Sequence, residues 1–358
     1  MLAQVIVPGK ARGGAALPVG LAATGRFAPM AATALRPKPP IVVDHVVGDG
    51  EVVRDLARAH GPYWQPGRML VSSGPVRGTA AGEGTITEAD PALVGPVFRG
   101  DWAFGEDRIP GAEALLHHDG FIAAAGQMYD TDVVVPEQVY VNLTTPLPRQ
   151  GFSHTDIPEF RGLDRTNAPA WLLSAMGVSG CFEAERIHIV TAVAWFYRGE
   201  AGGLRYWPEG PDGPSVLHDD TWNTAVVGDN DLMPHEVQRV GPRGSMPPAG
   251  MTIHSELVHD DGRWHIVDGD DVLASYDDDQ VRLSLSWKAK VYPDEAARRR
   301  AEAGVDGVTL DEALDRLAAD LAGSDHPEPL AGRSVAEPGL REQLTRRYSA
   351  YRVSAPPA

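Results

Sequence analysis

The segment Val281-Arg282-Leu283-Ser284-Leu285-Ser286-Trp287 constrains the fold most, because it alternates apolar and polar residues without a break. Successive side chains of a strand point to opposite faces. Leu283, Leu285 and Trp287 therefore share one face, and Arg282, Ser284 and Ser286 share the other. A strand divided in this way belongs between an apolar layer and a polar one. Other β-rich stretches lie at 138–144, 187–197, 203–207, 222–227, 235–240, 251–255 and 263–267. Gly, Pro and Asp clusters separate them, and many short strands punctuated like this imply a sandwich or barrel.

Helical signals flank the strands. Apolar periodicity predicts helices over 52–60, 87–97 and 112–127, and a short one over 170–177 just behind Pro169. Thr309-Leu310-Asp311-Glu312 reads as a capping box ahead of Leu314, Leu317 and Leu321, and 338–353 holds one more helix. Residues 1–40 are rich in Gly, Ala and Pro without a period, and are expected to form an extended or partly disordered arm. The organisation expected is an arm over 1–40, a helical part over 41–132 packed on the core, a β core over 133–292 and a helical extension over 293–358.

Composition narrows the partners. A formal net charge of −17 argues against a nucleic-acid backbone and against an anionic membrane surface. It favours a neutral or cationic small-molecule substrate. No apolar run reaches the roughly 18 residues of a membrane-spanning helix. The stretch 15–23 carries Pro18 and Gly20 and lacks the apolar centre of a signal peptide. Cys181 is the single cysteine, which excludes an intramolecular disulfide and fits the reducing cytoplasm. With no basic neighbour to stabilise a thiolate, it reads as a packed structural residue.

His154-Thr155-Asp156 follows the strand predicted at 138–144. Two residues apart on an extended backbone, His154 and Asp156 point to one side, so an imidazole nitrogen and a carboxylate oxygen can meet one metal ion. His235, in Met233-Pro234-His235-Glu236-Val237, opens a later strand and supplies a second imidazole. Two histidines and a carboxylate leave open coordination positions, as in non-heme Fe(II) oxygenases. On the polar face of the alternating strand, Arg282 and Ser284 require an anionic partner if buried. A guanidinium forks onto a carboxylate, and this pair suits a small dicarboxylic acid whose other end chelates the metal. The plainer alternative is a salt bridge from Arg282 to Asp277, Asp278 or Asp279. Tyr140 and Asn142 share a face, and Asn142 is a candidate for bonding co-substrate or substrate, with a satisfied polar residue inside the barrel as the alternative. Trp195 and Tyr197 likewise share a face, as core residues or as cavity lining. His117-His118-Asp119 reads as a solvated helix face, and Gly228-Asp229-Asn230-Asp231 lacks calcium-loop spacing.

Taken together and in this order, His154-x-Asp156, His235 and Arg282-x-Ser284 resemble the Fe(II)/2-oxoglutarate-dependent dioxygenase superfamily over residues 138–292. The resemblance implies a mainly β fold with flanking α, a double-stranded β-helix (jelly roll, cupin-like) buttressed by helices. It implies Fe(II) on His154, Asp156 and His235, and 2-oxoglutarate as co-substrate with its distal carboxylate on Arg282, assisted by Ser284. It further implies hydroxylation of a small molecule, an amino acid or natural-product intermediate, by O2 with release of succinate and CO2. The carboxylate at Asp156 fits hydroxylation rather than halogenation, which in the superfamily goes with a small residue there. The separation of His235 from Arg282 is longer than usual for the superfamily. An inserted hairpin over 245–279, turning at 268–271, accounts for it, unless His254 or His265 is the distal ligand. A cupin-type metalloenzyme without 2-oxoglutarate and a non-catalytic jelly-roll binding module are the rival readings.

Overall fold

The computed structural model describes residues 36–68, 94–105, 107–148 and 150–348. Most of the expected N-terminal arm, the stretch 15–23 and most of the helix expected over 87–97 lie outside them. The chain opens with β1 (Ile41–Asp44), α1 (Glu51–Ala59), β2 (Tyr63–Trp64), β3 (Val97–Phe104) and β4 (Asp107–Arg108). Next come α2 (Ala112–Leu116), α3 (Asp119–Tyr129), β5 (Val133–Thr144), β6 (Gln150–His154), β7 (Glu159–Phe160) and α4 (Ala170–Ser179). Strands β8 (Arg186–Phe196), β9 (Leu204–Tyr206), β10 (Val216–His218), β11 (Trp222–Gly228) and β12 (His235–Val237) follow. The remainder is β13 (Glu256–Asp260), β14 (Arg263–Asp268), β15 (Asp271–Tyr276), β16 (Arg282–Tyr292), α5 (Glu295–Glu302), α6 (Leu310–Gly323) and α7 (Pro338–Arg347).

Two sheets result, and every pairing in them is antiparallel. The larger runs β1-β11-β8-β16-β5-β3-β2-β13-β14-β15, and the smaller runs β10-β9-β12-β6. From β5 onward the chain alternates between them: β5 large, β6 small, β8 large, β9 and β10 small, β11 large, β12 small, β16 large. The four-strand core β11-β8-β16-β5 facing β10-β9-β12-β6 is the double-stranded β-helix expected from the sequence. The insertion expected between His235 and Arg282 is present as the meander β13-β14-β15, with its turn between Asp268 and Asp271. It extends the large sheet beyond β2.

The alternation in β16 sorts its side chains between two environments. Leu283, Leu285 and Trp287 point outward into a core shared with Leu116 and Phe121 of α2 and α3. The Trp287 indole donates to the Leu116 carbonyl at 2.7 Å. Arg282, Ser284 and Ser286 point inward and are all buried. Gly100 on β3 allows the Tyr63 ring to lie against the strand; a Cβ there would sit 2.5 Å from a ring carbon. A second core, built from Phe160, Trp171, Leu172, Val308, Leu314, Leu317, Leu340 and Leu344, joins α4, α6 and α7 beside β7.

Several local expectations differ from the outcome. The stretch 251–255 is not a strand: Ser255 Oγ accepts from the Thr252 amide at 2.8 Å, and both hydroxyls donate to Asp268 Oδ2 at 2.6 Å. Side-chain bonds of this kind hold the backbone in a turn and compete with ladder pairing. The helix expected over 112–127 is broken in two, because His118 leaves the helix and its Nδ1 accepts from the Phe121 amide as the cap of α3. Val97 begins a strand, not the end of a helix. Residues 41–132 hold strands β1–β4, which join the large sheet, as well as helices.

Candidate metal centre

His154 ends β6 and His235 begins β12, and the two face each other directly in the antiparallel ladder. Their ring centroids are 4.5 Å apart. Asp156 lies two residues past His154, and its amide donates to the Asn230 carbonyl at 2.7 Å. That bond ties the loop after β6 to the turn that precedes His235. One ligand atom from each of His154, Asp156 and His235 lies within 4.8 Å of the others, the one such group among the described residues. His235 is 1% exposed. Its Nδ1 lies 3.0 Å from the Met233 carbonyl, so that nitrogen carries the proton and Nε2 keeps its lone pair. Nε2 lies 4.0 Å from Asp156 Oδ1. Burial pushes the His235 pKa down despite the nearby Asp156, which favours the neutral ring that a metal requires.

Asp156 has a second neighbour that the sequence reading missed. Lys288 Nζ donates to its Oδ2 at 2.6 Å and to Thr191 Oγ1 at 3.1 Å. Burial alone would raise the Asp156 pKa, but the Lys288 ammonium, with His235 and His154, reverses this and holds it below the usual carboxylate range. The signal was in the sequence: Lys288 continues the Arg282, Ser284, Ser286 alternation by one more step.

Arg282 is 1% exposed. Its Nε donates to the Gly202 carbonyl at 2.6 Å and its Nη1 to Ser284 Oγ at 2.9 Å. Among the described residues, no carboxylate lies within ion-pair distance of it. Burial, opposed by Tyr197, pulls its pKa down to about 10. Of the three aspartates that could have neutralised it, Asp278 binds Arg54 and Arg58, and Asp277 binds Arg263. Asn142 pairs with Ser284 across the ladder. Both polar atoms of its side chain are buried without a partner among the described residues, as is the Trp195 indole nitrogen on the other side of Ser284.

The two rival histidines lie apart from this cluster. His254 is exposed in the turn before β13. His265 belongs to the added meander, with Nδ1 2.8 Å from Ser275 Oγ. His117 is exposed and pairs with Glu113. The Cys181 thiol is half-buried, and burial raises its pKa.

No protein-family model matches the sequence, and no curated protein matches it. Among solved structures the chain is similar to a prolyl-4-hydroxylase from Pseudomonas putida, at 15% identity and a TM-score of 0.35, over 71% of this chain and 94% of that one. It is similar to an oxidoreductase of the 2OG-Fe(II) oxygenase family from Burkholderia pseudomallei, at 12% identity and a TM-score of 0.35, over 70% and 85%. It is also similar to HygX from Streptomyces hygroscopicus, solved with nickel, 2-oxoglutarate and hygromycin B, at 12% identity and a TM-score of 0.36, over 71% and 83%. Likeness this distant bears on neither substrate nor reaction.

Proposed function

We propose that the protein is an Fe(II)- and 2-oxoglutarate-dependent oxygenase that hydroxylates a small molecule with release of succinate and CO2. The observation that carries this reading is Arg282, a buried guanidinium without a carboxylate partner among the described residues, inside the barrel that also presents two histidines and an aspartate. Leaving such a cation uncompensated is expensive, so the site is built for an incoming anion. The donor set suits the metal: two imidazoles, one of them with its lone pair freed, and one ionised carboxylate. His154, Asp156 and His235 would hold iron, whose chemistry is to activate O2 together with a bound 2-oxo acid. Arg282, backed by Ser284, holds the distal carboxylate of 2-oxoglutarate. The free amide of Asn142 adds a donor and an acceptor beside it. The single cysteine further fits work in a reducing cytoplasm.

Anaerobic titration of the metal-free protein with Fe(II) and 2-oxoglutarate tests the reading through the charge-transfer band of the chelate. The band should form in the native protein and vanish in His235→Ala. In Arg282→Ala the loss of a charge-assisted pair, about 1.5–3 kcal/mol, should weaken 2-oxoglutarate binding roughly ten- to a hundred-fold. Bound iron without the band would instead favour a cupin-type metalloenzyme, and no bound iron a binding module.

A further inference from the structure

The turn over 229–233, which leads from β11 to His235, lacks calcium-loop spacing, yet both of its aspartates are buried. Two of its carbonyls reach the metal centre. That of Asn230 accepts from the Asp156 amide at 2.7 Å, and that of Met233 lies 3.0 Å from Nδ1 of His235. The turn closes on itself through the Asp229 carbonyl, which accepts from the Leu232 and Met233 amides at 2.9 and 2.6 Å. A shift of this short, closed segment would therefore disturb two candidate ligands at once.

The two aspartate side chains tie the turn to different parts of the molecule. Asp229 Oδ1 accepts from the Tyr129 hydroxyl at the end of α3, and its Oδ2 from the Lys38 amide at 2.9 Å. Asp231 Oδ2 accepts from Arg186 Nη1 at 3.0 Å, and the two side chains are only 3% and 0% exposed. Asp231 Oδ1 is buried without a partner among the described residues, so the bond to Arg186 is the one that orients this side chain. Arg186, at the start of β8, directs its other donors to Glu183 at 3.0 and 3.1 Å and to the Gly177 carbonyl of α4 at 2.9 Å. The guanidinium is thus held whatever the state of Asp231. Burial pushes the Asp231 pKa up to about 7 against the pull of Arg186. Carboxylate and carboxylic acid alike offer an acceptor oxygen to Nη1.

We propose that Asp231, anchored on Arg186, is a positioning residue of the metal centre. Through the turn it holds the Asn230 carbonyl against Asp156 and the Met233 carbonyl against His235, while Asp229 and Tyr129 fix the other end. This rests on the metal-binding part of the oxygenase reading above. Partners outside the ligand set orient the ligands, and losing one commonly lowers metal affinity ten- to a hundred-fold. Here those partners are backbone carbonyls, which no substitution removes, so their placement depends on the side chains that anchor the turn.

Co(II) affinity and the d–d absorption of the bound ion, read beside stability to urea, test the proposal. Asp231→Ala is expected to bind Co(II) roughly tenfold more weakly and to change the shape of the absorption. Asp231→Asn, which keeps an oxygen for Arg186, should restore most of that loss. Tyr129→Phe removes one hydroxyl from the Asp229 end and should weaken binding in the same direction. Ile266→Ala, fully buried in the added meander, is the control: it should lose stability and keep native Co(II) affinity. Native affinity in Asp231→Ala overturns the proposal, as does an equal loss of affinity in Ile266→Ala. An Asn variant as weak as the Ala variant overturns it too, since the bond to Arg186 would then not be the anchor. Should Asp231→Ala fail to fold, native affinity and absorption in Tyr129→Phe decide against it. No uptake of Co(II) by the native protein would sink the oxygenase reading itself, and this inference with it.

Discussion

Asp278 shows how one side chain can hold several elements. Its carboxylate accepts from Arg54 and Arg58 of α1 and from the Trp264 indole of β14. Arg54 also reaches the Phe196 carbonyl at the end of β8. Burial would raise the Asp278 pKa, but the bonds from Arg54 and Arg58 outweigh it and hold the group below the usual carboxylate range. In the unfolded chain an aspartate titrates near a pKa of about 3.9. A group depressed on folding stabilises the native state above that value and loses its contribution as pH falls through the folded pKa. Asp278→Asn should therefore be clearly less stable than the native protein to urea at neutral pH. The gap should close as the pH is lowered into the acid range. A gap that stays constant with pH would show that the carboxylate charge contributes nothing.

At the scale of the element, β16 separates stability from chemistry by parity. Leu285 is 1% exposed in the outer core, and its truncation to Ala should cost about 2–5 kcal/mol in chemical denaturation. Ser286→Ala, one residue on and facing inward, should leave stability within about 1 kcal/mol. Equal losses would contradict the two-faced arrangement. This parity was readable in the sequence because a period of two survives any tertiary context that keeps the strand. So were the capping box of α6, where Thr309 Oγ1 and Glu312 bond reciprocally, and the turn at 268–271. Strand β3 was not readable, since Arg99, Gly100 and Asp101 interrupt its apolar run and only pairing with β5 explains them.

The molecule as a whole joins its two sheets at the metal centre: His154 and His235 belong to the small sheet, and Lys288, which steadies Asp156, belongs to the large one. A metal bound only by the folded arrangement should stabilise the entire protein, by about 2.7 kcal/mol at a hundred times its Kd. Melting in Co(II) should thus occur at higher temperature than in chelator, and His235→Ala should erase the difference. Equal melting points of the native protein in both solutions would exclude a folded-state metal site at these residues.

The loop that follows Asp156 is sealed from outside the barrel. The Val308 amide donates to the Arg161 carbonyl at 2.8 Å, and Phe160 packs in the core that α6 and α7 complete. On the ribosome, every strand of the jelly roll and all three candidate ligands emerge before that seal is made. The nascent chain at that stage shows Phe160, Trp171 and Leu172 uncovered, a surface that chaperones would hold. The candidate ligands are thus written earlier in the chain than the helices that cover the loop beside them.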